Sequence, residues 1–445
     1  MSEPAMPSIY QQQYSKLSFT RPVGRISSVH SSALDVTGLQ TDAQIGHRVL
    51  IRRRSGGCIP GEVIQIDRNR VRILPDGPLE GIGVDDRVIL MGPILIAPTN
   101  DWLGRIIDAN GQPIDGTFLE HGSSNRVLLA APPLAAQRRA LGSRLKTGYA
   151  VFNTVLPIVQ GQRLGLFAGS GVGKSSLLGG LASNIESDVV VIALVGERGR
   201  ELRHFVEQVL GPDGLKRSVV VAATSDQSPL ARRRCAWTAM AVAEHFRDQG
   251  KSVLFMIDSV TRFADAHREV AVAAGEAPVL RGYPPSTAHT IMSLCERAGP
   301  GIEGQGDITG VFSVLVAGSD MEEPIADILR GVLDGHVILD REIAERGRFP
   351  AIDILRSVSR SLPDCATDQQ NKILALFRKY MSIYERNAMM INAGLYTQGN
   401  DPEIDRSIAL WPGLDEFASR LDAGAIEDSF SRLEILFRRE KIPIT

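Results

Sequence analysis

Residues 167–176 read FAGSGVGKSS: an apolar run gives way to three glycines and a serine, then to one lysine and two hydroxyls. Small residues in that order can hold phosphate. Where no Cβ intervenes, successive backbone N–H groups can curl inward around phosphate oxygens, and a helix that starts at once adds the positive end of its dipole. Gly169, Ser170, Gly171, Val172, Gly173, Lys174, Ser175 and Ser176 then form the cradle. Lys174 reaches the β- and γ-phosphates of a nucleotide, and the Ser175 hydroxyl ligates the Mg²⁺ that bridges them. The pattern is G-x-x-x-x-G-K-[ST] with Ala168 in the first glycine's place. A turn of purely structural use would not need Gly173, Lys174 and Ser175 together.

Further along, VLFMID (253–258) is an apolar run ending in a carboxylate, the form of a second Mg²⁺-organising acid at a strand end. Asp258 would hold the ion through water; taken alone, it could equally cap the helix of TRFADAHRE. The segment VVVIALVGERGREL ends a strand at Val195 and sets Glu197 and Arg198 where a γ-phosphate would sit. A glutamate there polarises the attacking water, and an arginine neutralises developing charge. On spacing alone the two could as well open an exposed helix.

Alternating strands and helices must position these groups. LGLFA, VVVIALVG, SVVVAA, VLFMID and GVFSVLVAG read as buried strands, with helices such as 229–248 between them. That alternation predicts an α/β fold with a parallel sheet covered on both faces and its chemistry at the carboxyl ends of the strands. Ahead of it, GRISSV, HRVLIRR, GEVIQI, NRVRILP and DRVILMG are short β-type runs, with alternation at Ile64 and Ile66 and at Val71 and Ile73. They predict a small barrel or sandwich. After Pro363 the chain turns helical, and SLPDCATD supplies a breaker and capping residues at the junction. The expected divisions are a tail over 1–20, a β domain over 21–95, the α/β domain over 96–363 and a helical domain over 364–445. In the tail, Met6, Tyr10, Tyr14 and Leu17 share a helical face that would dock a partner, the alternative being a frayed terminus. Arg52 to Arg54 read as a solvated strand end or a ligand contact.

Composition excludes several classes. A formal charge of −2 and 5% aromatic residues give neither a field nor a stacking platform for nucleic acid. The four cysteines are dispersed without a C-x-x-C pair, so neither a zinc site nor a disulfide framework is expected. No run nears the roughly 20 apolar residues of a membrane span, and the start lacks a signal peptide's basic and apolar segments, so a cytoplasmic protein is expected.

Taken together, WLGRIIDANGQPIDG (102–116), FAGSGVGKS, VGERGRE, TSDQSPLARRR, IDSVTRFADAHREVAVAAGEAP, RGYPPS, EPIADILRGVLDGH and FPAIDILRSVSR resemble, in order, the catalytic subunits of the rotary ATP synthase superfamily. The likeness covers about residues 24–408 and is closest to the branch that serves type III protein export, within it the flagellar branch. It implies a RecA-like P-loop core between an N-terminal β-barrel and a C-terminal helical domain, assembled as a homohexamer that hydrolyses ATP with Mg²⁺. It implies that Lys174 and Ser175 belong to the nucleotide loop, that Glu197 is the catalytic glutamate and that Asp258 is the acid of the Mg²⁺ strand. Arg198 then contacts phosphate, Arg262 is a further active-site arginine, and Arg360 is the finger that enters the neighbouring subunit's site. Phe349 would stack on the adenine, where the alternative is a core phenylalanine. Implied partners are a stator-like regulator, a coiled-coil stalk protein, the membrane proteins of the export gate, and export substrates with their chaperones. That places the ring on the cytoplasmic side of the inner membrane, in peripheral contact with it.

Three alternatives stay open in the sequence. A virulence or symbiosis secretion ATPase shares these motifs. A synthase subunit is disfavoured because the C-terminal region lacks the acidic run used against a rotor, and a non-hydrolysing partner is disfavoured by Glu197.

Overall fold

A computed structural model describes residues 20–279, 281–316 and 321–444. The stripe of Met6, Tyr10, Tyr14 and Leu17 lies outside them. Two compact units are present, the smaller holding the described chain up to Ile94 with Ser228–Leu230 and Glu269–Ala277.

Six strands of the smaller unit close a barrel: β1 (Val23–Val29), β2 (Leu34–Thr37), β3 (Arg48–Arg52), β4 (Cys58–Ile66), β5 (Val71–Pro75) and β6 (Arg87–Gly92), ordered β1-β2-β5-β4-β3-β6. Closure through the β1–β6 pair leaves no open edge. Ile26, Leu34, Val36, Val49, Ile51, Val63, Val71, Ile73 and Val88 fill the interior. Five strands follow the sequence pattern. The sixth, Leu34–Thr37, has only four residues, too few for alternation to announce it. In β4 the phase also differs from the expected Ile64 and Ile66 alternation. The register slips between Val63 and Gln65, so Val63 points into the barrel core and Ile64 joins a separate cluster with Leu74, Leu230 and Val270.

The larger unit is built on one twisted sheet. Its order runs Ile352–Ser359, Gly335–Leu339, Arg163–Ala168, Asp307–Leu315, Val253–Asp258, Val189–Glu197, Ser218–Thr224 and Arg105–Ile107, with Gly299–Pro300 paired to Asp307–Leu315 off this path. The pairings from Gly335–Leu339 to Arg105–Ile107 are parallel, whereas Ile352–Ser359 and Gly299–Pro300 pair antiparallel. The strand leading into FAGSGVGKSS therefore sits between two neighbours, and Val189–Glu197 and Val253–Asp258 lie side by side with Asp258 opposite Leu194. Three helices, Asp368–Asn392, Pro402–Ser419 and Ile426–Arg439, complete the unit. Thr367 and Gln370 form a capping box at the first of them. Phe377, Leu410, Leu414 and Leu433 share one apolar cluster with Phe152, Leu166 and Leu178, so these helices and the sheet bury a common core.

Candidate active site

Ala168 to Lys174 form the turn between the strand Arg163–Ala168 and the helix Lys174–Asn184. Gly171 and Gly173 have φ of 78° and 84°, a region that residues with a Cβ rarely occupy, so the turn depends on them. Gly173 also starts the helix, its carbonyl accepting from the Leu177 N–H at 3.0 Å. Ala168 in the first glycine's place is accommodated because its methyl belongs to the apolar core. Val172 is buried in the same core, so its contribution to a cradle is its main chain alone. Ser175 and Ser176 are exposed in the first turn of the helix.

Phe349 lies against this turn: a Cβ on Gly173 would come within 3.1 Å of its Cδ1. At 51% exposure it is no core residue, and with Ser170, Gly171, Arg341, Ala344 and Glu345 it lines a hollow of about 400 Å³.

At the end of the strand Val253–Asp258, Asp258 is nearly buried and accepts a hydrogen bond from the Lys174 ammonium. The Ser313 hydroxyl donates to the same oxygen, Oδ1, at 2.9 Å. Both bonds fall on one oxygen of the carboxylate. With the exposed Ser175 hydroxyl, this donor set has the hard oxygen character that Mg²⁺ requires.

Glu197 is aimed by a defect in its strand. Val195 pairs with Ala223 and Glu197 with Thr224, so two residues stand against one, and Gly196 between them takes a φ of 69°. A Cβ on Gly196 would sit 3.1 Å from Arg262 Cδ. The Nε of Arg262 lies 3.4 Å from Glu197 Oε1, and its Nη1 donates to the Gly196 carbonyl at 2.7 Å. Burial, a hydrogen bond with Glu201 and the charge of Asp258 raise the Glu197 carboxyl to about 7, against the opposing pull of Arg262 and Lys174. Sharing that proton moves Glu201 the other way, below the usual glutamate value. Arg198 is 73% exposed and 3.9 Å from Glu201 Oε1.

A cleft of about 960 Å³ brings together Lys174, Ser175, Ser176, Glu197, Arg198 and Arg262, while Asp258 and Phe349 are not among its described lining residues. Arg360 is absent from its described lining. It follows the strand Ile352–Ser359, is exposed, and donates from Nη2 to the Arg330 carbonyl at 3.0 Å. Sequence reasoning missed Glu201, Thr261, Arg268, Arg281, Tyr283 and Glu323, all in the cleft. Glu201 gave no local signal, since Glu197 ends a strand and only Glu201 lies in the helix Gly199–His204. Arg281 and Tyr283 fall in RGYPPS, whose spacing alone names no role.

Residues 148–359 match the model of the ATP synthase alpha/beta family, nucleotide-binding domain, and 366–424 match that of the T3SS EscN ATPase C-terminal domain. A flagellum-specific ATP synthase of Caulobacter vibrioides is 45% identical over 94% of this chain and 96% of its own length. Among solved structures, the assembled ATPase EscN of the enteropathogenic E. coli type III secretion system superposes with a TM-score of 0.86 at 36% identity, over 94% of this chain and 100% of that one. EscN in complex with its central stalk EscO gives 0.84 at 36% identity, over 93% and 99%. The chain belongs to the ATP synthase alpha/beta family, in the branch that contains the flagellum-specific ATP synthases and the type III secretion ATPases.

Proposed function

We propose that this chain is a Mg²⁺-dependent ATPase that energises flagellar protein export, working as a homohexameric ring at the cytoplasmic side of the export gate. The observation that carries the reading is the bulge at Gly196, which delivers a carboxyl held near neutrality into the same cleft as the phosphate loop. Main-chain amides at Gly169 to Ser175 grip the phosphates, and Lys174 leaves Asp258 to meet them. Ser175 and Asp258 would hold Mg²⁺, the latter through water, and the ion would supply neutralisation of phosphate charge. Glu197 orients the attacking water and takes its proton, while Arg198 and Arg262 balance the charge that develops. Phe349 stacks on the adenine through its exposed ring. Arg360, outside its own cleft, serves the neighbouring subunit, which makes turnover depend on assembly.

The 45% identity to a flagellum-specific relative, against 36% to EscN, favours the flagellum over a virulence system. The EscN–EscO complex supports a stalk protein as partner here too. No described helix is long and apolar enough to cross a membrane. We place the ring in peripheral contact with the inner membrane, bound to a stator-like regulator, the gate proteins and the export substrates with their chaperones.

Mixing tests the ring. Arg360→Ala and Lys174→Ala subunits, each impaired alone at sub-saturating Mg-ATP, should recover ATPase activity when combined, because a ring then holds sites with an intact loop beside an intact finger. No recovery in mixed rings verified by size would remove Arg360 from the neighbour's site.

A further inference from the structure

The segments TRFADAHRE and RGYPPS carry a part of the cleft that the proposed mechanism leaves unused. Arg268 stands 3.2 Å from Asp265 Oδ1 through Nη2, and its guanidinium lies over the Tyr283 ring at 5.0 Å from the centroid. The Tyr283 hydroxyl donates to that same Oδ1 at 2.9 Å. One carboxylate oxygen thus ties down both partners of a stacked pair. Burial and the charge of Asp265 push the Tyr283 phenol up, so it remains a donor throughout the physiological range.

Three other cations of the cleft differ. Lys174 is committed to Asp258 and Arg262 to Glu197 and the Gly196 carbonyl, while Arg198 is 73% exposed with its carboxylate partner 3.9 Å away. Arg268 is 38% exposed, lines the cleft, and is held from one face and one corner. A guanidinium stacked on a ring keeps its in-plane N–H groups, and the contact of Arg268 with Asp265 runs through Nη2. Such a fork matches two oxygens of a phosphate, and its orientation is settled before the ligand arrives.

We infer that Arg268 is a phosphate-binding residue of the cleft, with Asp265 and Tyr283 as the positioning residues that hold its guanidinium for the ligand. The phosphate is either the γ-phosphate of bound nucleotide or the orthophosphate left after hydrolysis. The inference rests on reading the cleft as a nucleotide site.

Full-length protein, with ring assembly checked, provides the test. KM and kcat for Mg-ATP, the affinity for Mg-ADP and inhibition by added orthophosphate are compared for wild type, Arg268→Ala, Arg268→Lys and Asp265→Asn. Loss of charge-assisted bonds in Arg268→Ala should cost about tenfold or more. If the ligand is the γ-phosphate, KM for ATP rises by that factor while ADP affinity holds. If it is orthophosphate, KM holds and phosphate inhibition weakens by that factor. Arg268→Lys should recover only part of the loss, because an ammonium neither forks nor stacks in the same way, and Asp265→Asn should move the same quantity by less. An unchanged ATP-to-ADP affinity ratio with unchanged phosphate inhibition in Arg268→Ala overturns the inference, and if that variant does not fold, the same result in both milder variants does so. Wild-type protein that binds no Mg-ATP would instead overturn the reading of the cleft itself.

Discussion

The phosphate loop and the end of the strand Val189–Glu197 meet in one cleft but are built on different principles. The loop works through backbone: two left-handed glycines fix a turn, a helix starts at once, and apart from Lys174 and the hydroxyls its side chains are absent or turned into the core. The strand end works through side chains, where a bulge aims Glu197 and its neighbours hold the carboxyl near 7. The first arrangement grips a ligand of fixed charge, whereas the second keeps a proton close to balance. Binding and turnover should therefore separate under mutation.

Glu197→Gln gives the largest separation. Losing a general base costs about 10²–10⁴ in kcat, and because the amide keeps the side chain's size, the dissociation constant for Mg-ATP should stay within a few-fold of wild type. Steady-state turnover beside equilibrium binding of a fluorescent nucleotide checks both halves, and an unaltered kcat would take the glutamate out of the chemistry. Lys174→Ala should do the reverse. Charge-assisted bonds to phosphate contribute roughly 1.5–3 kcal/mol, so affinity should fall about 10- to 150-fold. Wild-type affinity in that variant would mean that the loop amides alone hold the ligand.

A smaller effect probes the bulge. Gly196→Ala forces a Cβ into a φ of 69° and to 3.1 Å from Arg262 Cδ. The left-handed conformation costs an alanine about 1–2 kcal/mol, and relief of that strain would turn Glu197 away from the cleft. The expected outcome is a kcat about tenfold lower with unchanged affinity for Mg-ATP. A parallel loss of affinity would show that the bulge supports the whole cleft and does not serve the carboxyl alone.

The same contrast governs what could be read from the sequence. A backbone device needs particular residue types at particular spacings, so FAGSGVGKSS announced its strand, turn and helix, and the buried strands announced themselves by unbroken apolar runs. Features set by pairing were silent. The bulge at Gly196 exists only in register with Ser218–Thr224, and the shift at Val63 only against Val71–Pro75. The strand Ile352–Ser359 sits inside a segment noticed for its motif and not for its periodicity, and Gly335–Leu339 begins at the end of another. The pair Arg268 and Tyr283 meets across 15 positions, a contact that no local pattern encodes. Phe349, expected from the resemblance to stack on adenine with a core phenylalanine as the alternative, is 51% exposed, a fact its sequence neighbours do not encode.

The smallest predicted effect concerns pH. Burial first, then the hydrogen bond with Glu201 and the charge of Asp258, raise Glu197 to about 7 from the ordinary value of 4.5. The carboxylate is the active form, so kcat/KM should fall on the acid side of about pH 7, and Glu201→Gln, whose amide can donate to a carboxylate, should move that limb to lower pH. Stability runs the other way. Between 4.5 and about 7 the folded chain keeps a proton that the unfolded chain has released, so the stability this proton confers is whole below 4.5, is lost as pH rises to about 7, and stays lost above it. Glu197→Gln removes the buried charge and should raise the thermal midpoint at pH 8, on the order of 1–3 °C for a chain of this size, with no gain at pH 4.5. An equal gain at both pH values would trace it to packing. A gain confined to pH 8, in a variant that binds nucleotide without turning it over, would mark the desolvated carboxylate as a cost the fold carries for its chemistry.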